Sequence, residues 1–182
     1  MQIQFEGRAK VVGDGVNTDY IISSTRKKET LDPEVLKKYV FENLDPSFAG
    51  SVNPNDILVA GRNFGCGSAM EIAATVLLAA GIRVVLAESF ARTFYRNAIN
   101  NGLAPIECDT AGIKPGDNLI VRLTDRDVFT TNQTTGRELV ANPLPPIMLE
   151  ILELGGLVPY FRMHPEGLPE TTARNVGGTQ TK

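Results

Sequence analysis

Apolar positions run through this chain in short blocks parted by glycine, proline, asparagine and aspartate, and the block at 57–80, ILVAGRNFGCGSAMEIAATVLLAA, has the clearest pattern. Its first four residues, Ile57–Ala60, form a continuous apolar run that predicts a strand. After Ser68, the residues Ile72, Ala73, Val76, Leu77 and Ala80 recur at helical spacing and predict a buried helix face. Between them, Gly65 and Gly67 allow a sharp bend and a close approach of backbone to a small ligand, because a residue without Cβ accepts conformations closed to others. The block therefore reads as strand, tight turn and buried helix, with the helix beginning at Ser68. Free N–H groups in its first turn, together with the helix dipole, predict an anion site there.

The flanking pattern adds strands and helices on both sides. Residues 7–12 predict a strand that runs into Gly13-Asp14-Gly15-Val16-Asn17-Thr18-Asp19, where Gly, Asn and Asp supply turn chemistry. Tyr20, Ile21 and Ile22 resume a strand. A polar loop over 23–30 carries Arg26, Lys27 and Lys28, and Asp32-Pro33 then marks a helix over 33–43, with Asp as N-cap and Pro at N1. Beyond the central helix, Gly81 is a stop signal and 83–87 reads as a buried strand, which makes a parallel, right-handed βαβ unit. A second helix over 89–101 turns Phe90, Phe94 and Ala98 inward and ends at Gly102, and 103–108 gives another strand. From Ile113 the texture changes to short strands at 118–123, 127–131 and 139–140 joined by turns, an antiparallel pattern. A helix over 147–154 closed by Gly155-Gly156 leads to a segment, 157–161, that packs back on the domain. There is no internal repeat. Residues 164–182 lack an apolar period and predict a flexible tail.

Ser68 has two readings. Ser-Ala-Met-Glu fits a capping box, in which the hydroxyl accepts from the Glu71 N–H and the Glu71 side chain reaches back. Alternatively the hydroxyl is a catalytic base whose alkoxide the same amides stabilise. Nucleotide motifs do not compete: Met70 stands where G-x-G-x-x-G needs its third glycine, and no Gly-Lys-Ser/Thr follows. Cys66 at a helix start suits a lowered thiol pKa, but the single histidine, His164, lies in the polar C-terminal stretch, which argues against a Cys-His pair. Asp14 and Asp19 read first as turn residues. The cations Arg26, Lys27 and Lys28 are either a solvated loop or a clamp for a substrate carboxylate.

Composition narrows the classes. A length of 182 residues, 42% hydrophobic and 21% charged, supports one well-packed domain. A net charge of −3 provides no basic face for nucleic acid, and no apolar run reaches the length of a membrane span, so the expectation is a soluble, cytoplasmic protein. The N-terminus lacks an apolar signal core. Cys66, Cys108 and His164 are too few for a disulfide framework or a four-ligand metal or cluster site, so any cluster comes from a partner.

Four ordered segments, GRAKVVGDGVNTDYII, GRNFGCGS, ESFARTFYRNAINNGLAPI and ILELGGLVPY, resemble the small subunits of the isopropylmalate and homoaconitate dehydratases, equivalent to the swivelling domain of aconitase. The resemblance covers 7–162 and implies an α/β fold: a swivelling β/β/α domain over 1–162 with a mixed parallel and antiparallel core, outer helices and a flexible tail from 163. It implies no cofactor on this chain and a partner large subunit carrying a [4Fe-4S] cluster on three cysteines, with one iron open to substrate. The implied reaction dehydrates a hydroxy dicarboxylic acid and rehydrates the alkene with the hydroxyl moved, as in leucine biosynthesis. By resemblance Ser68 is the base that removes a proton next to a carboxylate. Asp19, Arg26, Lys27, Lys28, Gly65, Cys66, Gly67, Ala69 and Met70 fall at its substrate-binding positions.

The departure lies directly after Ser68. The family usually has Ser-Ser-Arg-Glu there, and this chain has Ser68-Ala69-Met70-Glu71. A charge-assisted bond from that arginine to a carboxylate contributes about 1.5–3 kcal/mol, while Met70 offers only apolar contact. Three outcomes are open: an isomerase of the isopropylmalate type whose missing charge comes from Arg26, Lys27 or Lys28; a related dehydratase for another alkyl-substituted malate or homoaconitate; and a non-catalytic assembly or regulatory subunit. Both enzymes require the large subunit.

Overall fold

A computed structural model describes residues 2–169. In chain order it has β1 (Gln2–Val11), α1 (Thr18–Ile21), α2 (Ser24–Glu29), α3 (Pro33–Leu36) continued by a 3-10 turn at Lys37–Tyr39, and α4 (Phe48–Ser51). Then come β2 (Ile57–Ala60), α5 (Ile72–Ala79), β3 (Val84–Ala87), α6 (Arg92–Asn101) and β4 (Ala104–Glu107). Three antiparallel strands, β5 (Asn118–Thr124), β6 (Val128–Asn132) and β7 (Arg137–Val140), precede α7 (Pro146–Glu153) and α8 (Leu157–Met163).

All seven strands form one sheet of order β4-β3-β2-β1-β5-β6-β7, parallel from β4 to β1 and antiparallel from β1 to β7. The mixed α/β architecture expected from the sequence is therefore present. β1 joins its halves: residues 2–8 pair antiparallel with β5, and Ala9, Lys10 and Val11 pair parallel with β2. Past β4 and β7, Cys108 and Ala141 form an antiparallel bridge, and the Asn142 N–H donates to Glu107 O at 3.2 Å. The sheet thus curls until its two edges touch. Every residue of β2 and β3 is buried, as expected of parallel strands covered on both faces. Leu58, Ala60, Val85 and Ala87 face a core shared with α1, α3 and α5. Ile57, Val59, Val84 and Leu86 face a second core with β5, α7 and α8.

Several predicted elements are corrected. Tyr20 and Ile21 belong to a helical turn and only Ile22 is extended, because the Asn17 side chain caps the Asp19 N–H at 2.9 Å and Asn17 O takes the N–H groups of Tyr20 and Ile21. The polar loop at 23–30 contains α2, capped by Ser23. The helix expected over 33–43 stops early, since Phe41 adopts φ 58° and its N–H turns to Ile21 O at 3.0 Å. Residues 89–91 are spent beside Phe64 instead of starting α6, through Phe64 N–H to Ser89 O at 3.0 Å and Ala91 N–H to Phe64 O at 2.9 Å. At the other end, α8 runs to Met163 and His164 Nε2 meets Glu150 Oε1 at 2.8 Å. Of the predicted tail, residues 170–182 lie outside the described residues.

Candidate active site

Because β1 and β2 are parallel, the loops that follow them leave the same edge of the sheet, where ligands of parallel α/β sheets gather. The two loops are stitched together. The Thr18 N–H donates to Cys66 O at 2.8 Å, the Gly65 N–H to Val16 O at 2.8 Å, and the Cys66 thiol to Gly15 O at 3.4 Å. Gly65 and Gly67 take φ +77° and +98°, and neither has room for a side chain. A Cβ on Gly65 would stand 2.2 Å from the Phe94 ring, and one on Gly67 would stand 2.4 Å from Asn17 Oδ1. The glycine turn read from the sequence is thus a requirement of packing as well as of backbone conformation.

Ser68 is exposed at the end of this turn. Its carbonyl accepts from the Met70 N–H at 2.9 Å and from Thr18 Oγ1 at 3.1 Å, and its Oγ stands 3.5 Å from Thr18 Oγ1. A carbonyl engaged two residues ahead does not start a helix, so α5 begins at Ile72. Glu71 occupies the N-cap position without a side-chain cap. The capping box is not formed. Among the described residues, the N–H groups of Gly67, Ser68 and Ala69 have no acceptor, and all three residues are exposed. Unpaired donors beside two hydroxyls favour an oxyanion, and these three lie in the turn ahead of α5.

The predicted cations are divided. Lys27 Nζ lies 2.6 Å from Asp19 Oδ1 with its side chain almost wholly covered, and Ser24 Oγ donates to the same oxygen at 2.8 Å. These bonds, Lys27 first, hold the Asp19 carboxyl below its ordinary pKa. Arg26 grips Glu42 with Nε at 3.0 Å and Nη2 at 3.1 Å, and lies 3.8 Å from the Tyr39 ring centroid. That bond lowers the Glu42 carboxyl and raises the Arg26 guanidinium. Lys28 is exposed and forms no ion pair among the described residues. Ala69 and Met70 line a separate cleft with Leu31, Glu71, Ile72 and Thr75.

Burial pushes the Cys108 thiol up to about 12, leaving it an inert core group. His164 is held by Glu150 and Glu166, so no Cys66-His164 pair exists. Among the described residues no cluster of three or more His, Cys, Asp or Glu side chains is arranged to hold a metal, and no helix is long and apolar enough to cross a membrane.

Residues 16–111 match the model of the aconitase C-terminal domain. The chain belongs to that family. It is 48% identical over 162 residues to 3-isopropylmalate dehydratase small subunit 1 of Methanopyrus kandleri, covering 89% of this chain and 95% of the relative. It is 46% identical over 164 residues to the isopropylmalate/citramalate isomerase small subunit of Methanocaldococcus jannaschii, covering 89% and 96%. A crystal structure of a 3-isopropylmalate dehydratase chain from the same organism superposes with TM-score 0.82 at 39% identity, covering 90% of this chain and 96% of that one.

Two polar neighbours of this aconitase-type turn were not singled out by sequence, Asn17 under Gly67 and buried Thr18 beside Ser68. Their signal was the Asn-Thr-Asp triplet itself, which reads as turn chemistry until the 50-residue separation is closed by the β1–β2 pairing. Leu31, a lone apolar residue in a polar stretch, was not singled out either; it lines the cleft beside Met70.

Proposed function

We propose that this aconitase-type chain is the small subunit of a two-subunit hydro-lyase of the 3-isopropylmalate dehydratase kind, and that Ser68 is its base. The observation that carries the reading is the exposed Ser68 hydroxyl at the common edge of β1 and β2, beside three unpaired N–H groups and the Thr18 hydroxyl. A serine hydroxyl is a weak base unless its anion is selectively stabilised, and the three amide donors supply that stabilisation, while Thr18 holds the Ser68 carbonyl and positions the hydroxyl. The amides also suit the carboxylate next to the carbon that loses its proton. In the elimination, the proton passes to Ser68 Oγ, the C–H electrons form the alkene, and the hydroxyl leaves from the adjacent carbon. Rehydration runs the same steps in reverse with the hydroxyl at the other carbon.

The leaving hydroxyl needs an acid, and on this reading a partner subunit supplies it. A cluster-bearing large subunit is the partner that fits, and its [4Fe-4S] group supplies Lewis acidity there. On this reading the swivel unit is 1–162, Gly65, Cys66 and Gly67 shape the anion turn, and the Asp19–Lys27 and Arg26–Glu42 pairs fix α2 beside it. Lys28 is the cation left to meet a substrate carboxylate. The setting is the cytoplasm and the pathway that of branched-chain amino acids.

Anaerobic co-purification with a cluster-bearing large subunit, followed by an assay of alkene formation from alkylmalates, tests this reading. A complex that turns over 3-isopropylmalate or a close alkylmalate is the expected result. A stable complex without turnover would favour a non-catalytic subunit.

A further inference from the structure

Along β5, β6 and β7, the residues Leu119, Val121, Leu123, Val128 and Leu139 turn into the second core, and the residues between them face outward. On that outer face the strand registers place Gln4, Arg122, Phe129 and Val140 in one row across four strands, with Thr131 beside Glu138 in the next row. Phe129 is 53% and Val140 89% exposed, and neither joins a core. Single exposed apolar residues are ordinary, but these two are directly paired and form a patch. Each end of the row is charged. At one end Arg122 Nε donates to Gln4 at 3.0 Å and forms no ion pair among the described residues, although Asp127 and Glu138 line the same cleft. Past Val140, where the two edges of the sheet touch, a cleft of about 460 Å³ is lined by Glu88, Glu107, Cys108, Asp109, Val140 and Asn142. Arg137 takes Asp109 at 2.6 Å and Arg62 reaches Glu88 at 3.4 Å. Glu107 has no ion pair among the described residues, although Arg92 and Arg96 line the neighbouring cleft with it. The row thus runs from an unpaired cation through two apolar residues to an unpaired carboxylate.

We infer that this face joins two copies of the chain, related by a two-fold axis that runs along the strands between β6 and β7. An isologous contact needs a self-complementary patch, and this row is one. The axis sets Phe129 on the partner's Val140 and Val140 on the partner's Phe129. It exchanges β5 with the far side of β7, so Arg122 of each copy meets the partner's Glu107 at the mouth of the acidic cleft. Thr131 falls opposite the partner's Glu138, a hydroxyl facing a carboxylate, and no like charges meet. The strands of the two faces stay aligned, as in packed sheets. Because the sheet curls away on both sides of the row, contact is confined to it and its neighbours, and the dimer is a weak one of micromolar affinity. A second copy fits this face better than a cluster-bearing large subunit does. β6 and β7 lie on the side of β1 away from β2, and Gln4 precedes Val11 by roughly 20 Å of strand, so the row stands clear of the edge that carries Ser68. The inference is therefore independent of the role of Ser68.

Sedimentation equilibrium of the full chain alone, over a concentration series into the high micromolar range, tests this contact. The mass should rise from 19.7 kDa toward twice that value. Val140→Glu places a charge at the apolar centre, on a residue exposed enough for the fold to tolerate it, and should raise the dimer Kd at least tenfold. Arg122→Glu sets carboxylate against carboxylate and should raise Kd about tenfold, and adding Glu107→Arg should recover most of that loss, which damage to the fold would not do. Glu107 is half-buried, so if Glu107→Arg fails to fold, the Val140→Glu result decides alone. A chain that stays monomeric throughout the series overturns the proposal, and so does a dimer whose Kd is unmoved by Val140→Glu. A folded double variant that recovers nothing overturns the pairing of Arg122 with Glu107. If the chain alone is monomeric and Val140→Glu weakens co-purification with the large subunit, the face belongs to that partner and the contact between copies is wrong.

Discussion

At Ser68 the decisive neighbour is Thr18, whose hydroxyl has one proton to give. It donates to Ser68 O at 3.1 Å, which leaves its lone pairs for the Ser68 Oγ–H at 3.5 Å. Thr18→Val keeps the shape and removes both contacts, so kcat of the complex should fall about 2- to 10-fold with KM little changed, the worth of one ordinary hydrogen bond. Asp19 acts one step further out. Its pKa is lowered by Lys27 and then Ser24, so the stability it contributes is present above the ordinary value of 3.8 and is lost as pH falls through the lower, folded value. With the Asp19 side chain 51% exposed, that contribution is below about 1 kcal/mol. Acid titrations of wild type and Asp19→Asn should therefore differ slightly above pH 3.8 and converge as pH falls from 3.8 through the folded value. Of these residues, the glycines were legible because a local motif carries them, whereas the local patterns at Ser68 and Asp19 fitted a capping box and a turn, and only resemblance singled them out. Thr18 was not legible, since its role depends on a contact across 50 residues.

Among the elements, the turn at 64–68 and the end of α6 are the least tolerant. Gly65→Ala forces a Cβ to within 2.2 Å of the Phe94 ring at φ +77° and should cost about 2–4 kcal/mol in urea unfolding. Gly102, the left-handed cap of α6, packs against Gly155, where an added Cβ would lie 2.7 Å from the carbonyl carbon. Gly102→Ala should lower stability by a similar amount while leaving the Ser68 turn and complex formation intact. The caps at Asp32 and Gly102 were readable from sequence because each is a local rule about one backbone position. The run Tyr20-Ile21-Ile22 was not, since a three-residue apolar run fits strand or helix and only the Asn17 cap decides. α2 escaped for another reason. None of its residues is fully buried, so it has no apolar stripe to read, and the Arg26–Glu42 and Lys27–Asp19 pairs hold it in place.

Across the whole molecule, the switch from parallel to antiparallel strands was visible in the change of texture at Ile113, and the buried β2–α5–β3 unit in its continuous apolar runs. The double pairing of β1 and the bridge between Cys108 and Ala141 were not, because each joins segments far apart in sequence. Yet that pairing of β1 with β2 is what sets Thr18 beside Ser68, so the site follows from the sheet order and not from any single motif. The measurement closest to the central claim is turnover of an alkylmalate by the complex of Ser68→Ala with the large subunit, followed by alkene formation. Removal of a general base should lower kcat at least 100-fold, with co-purification of the two subunits unchanged. An unaltered kcat would contradict the assignment of Ser68 as the base.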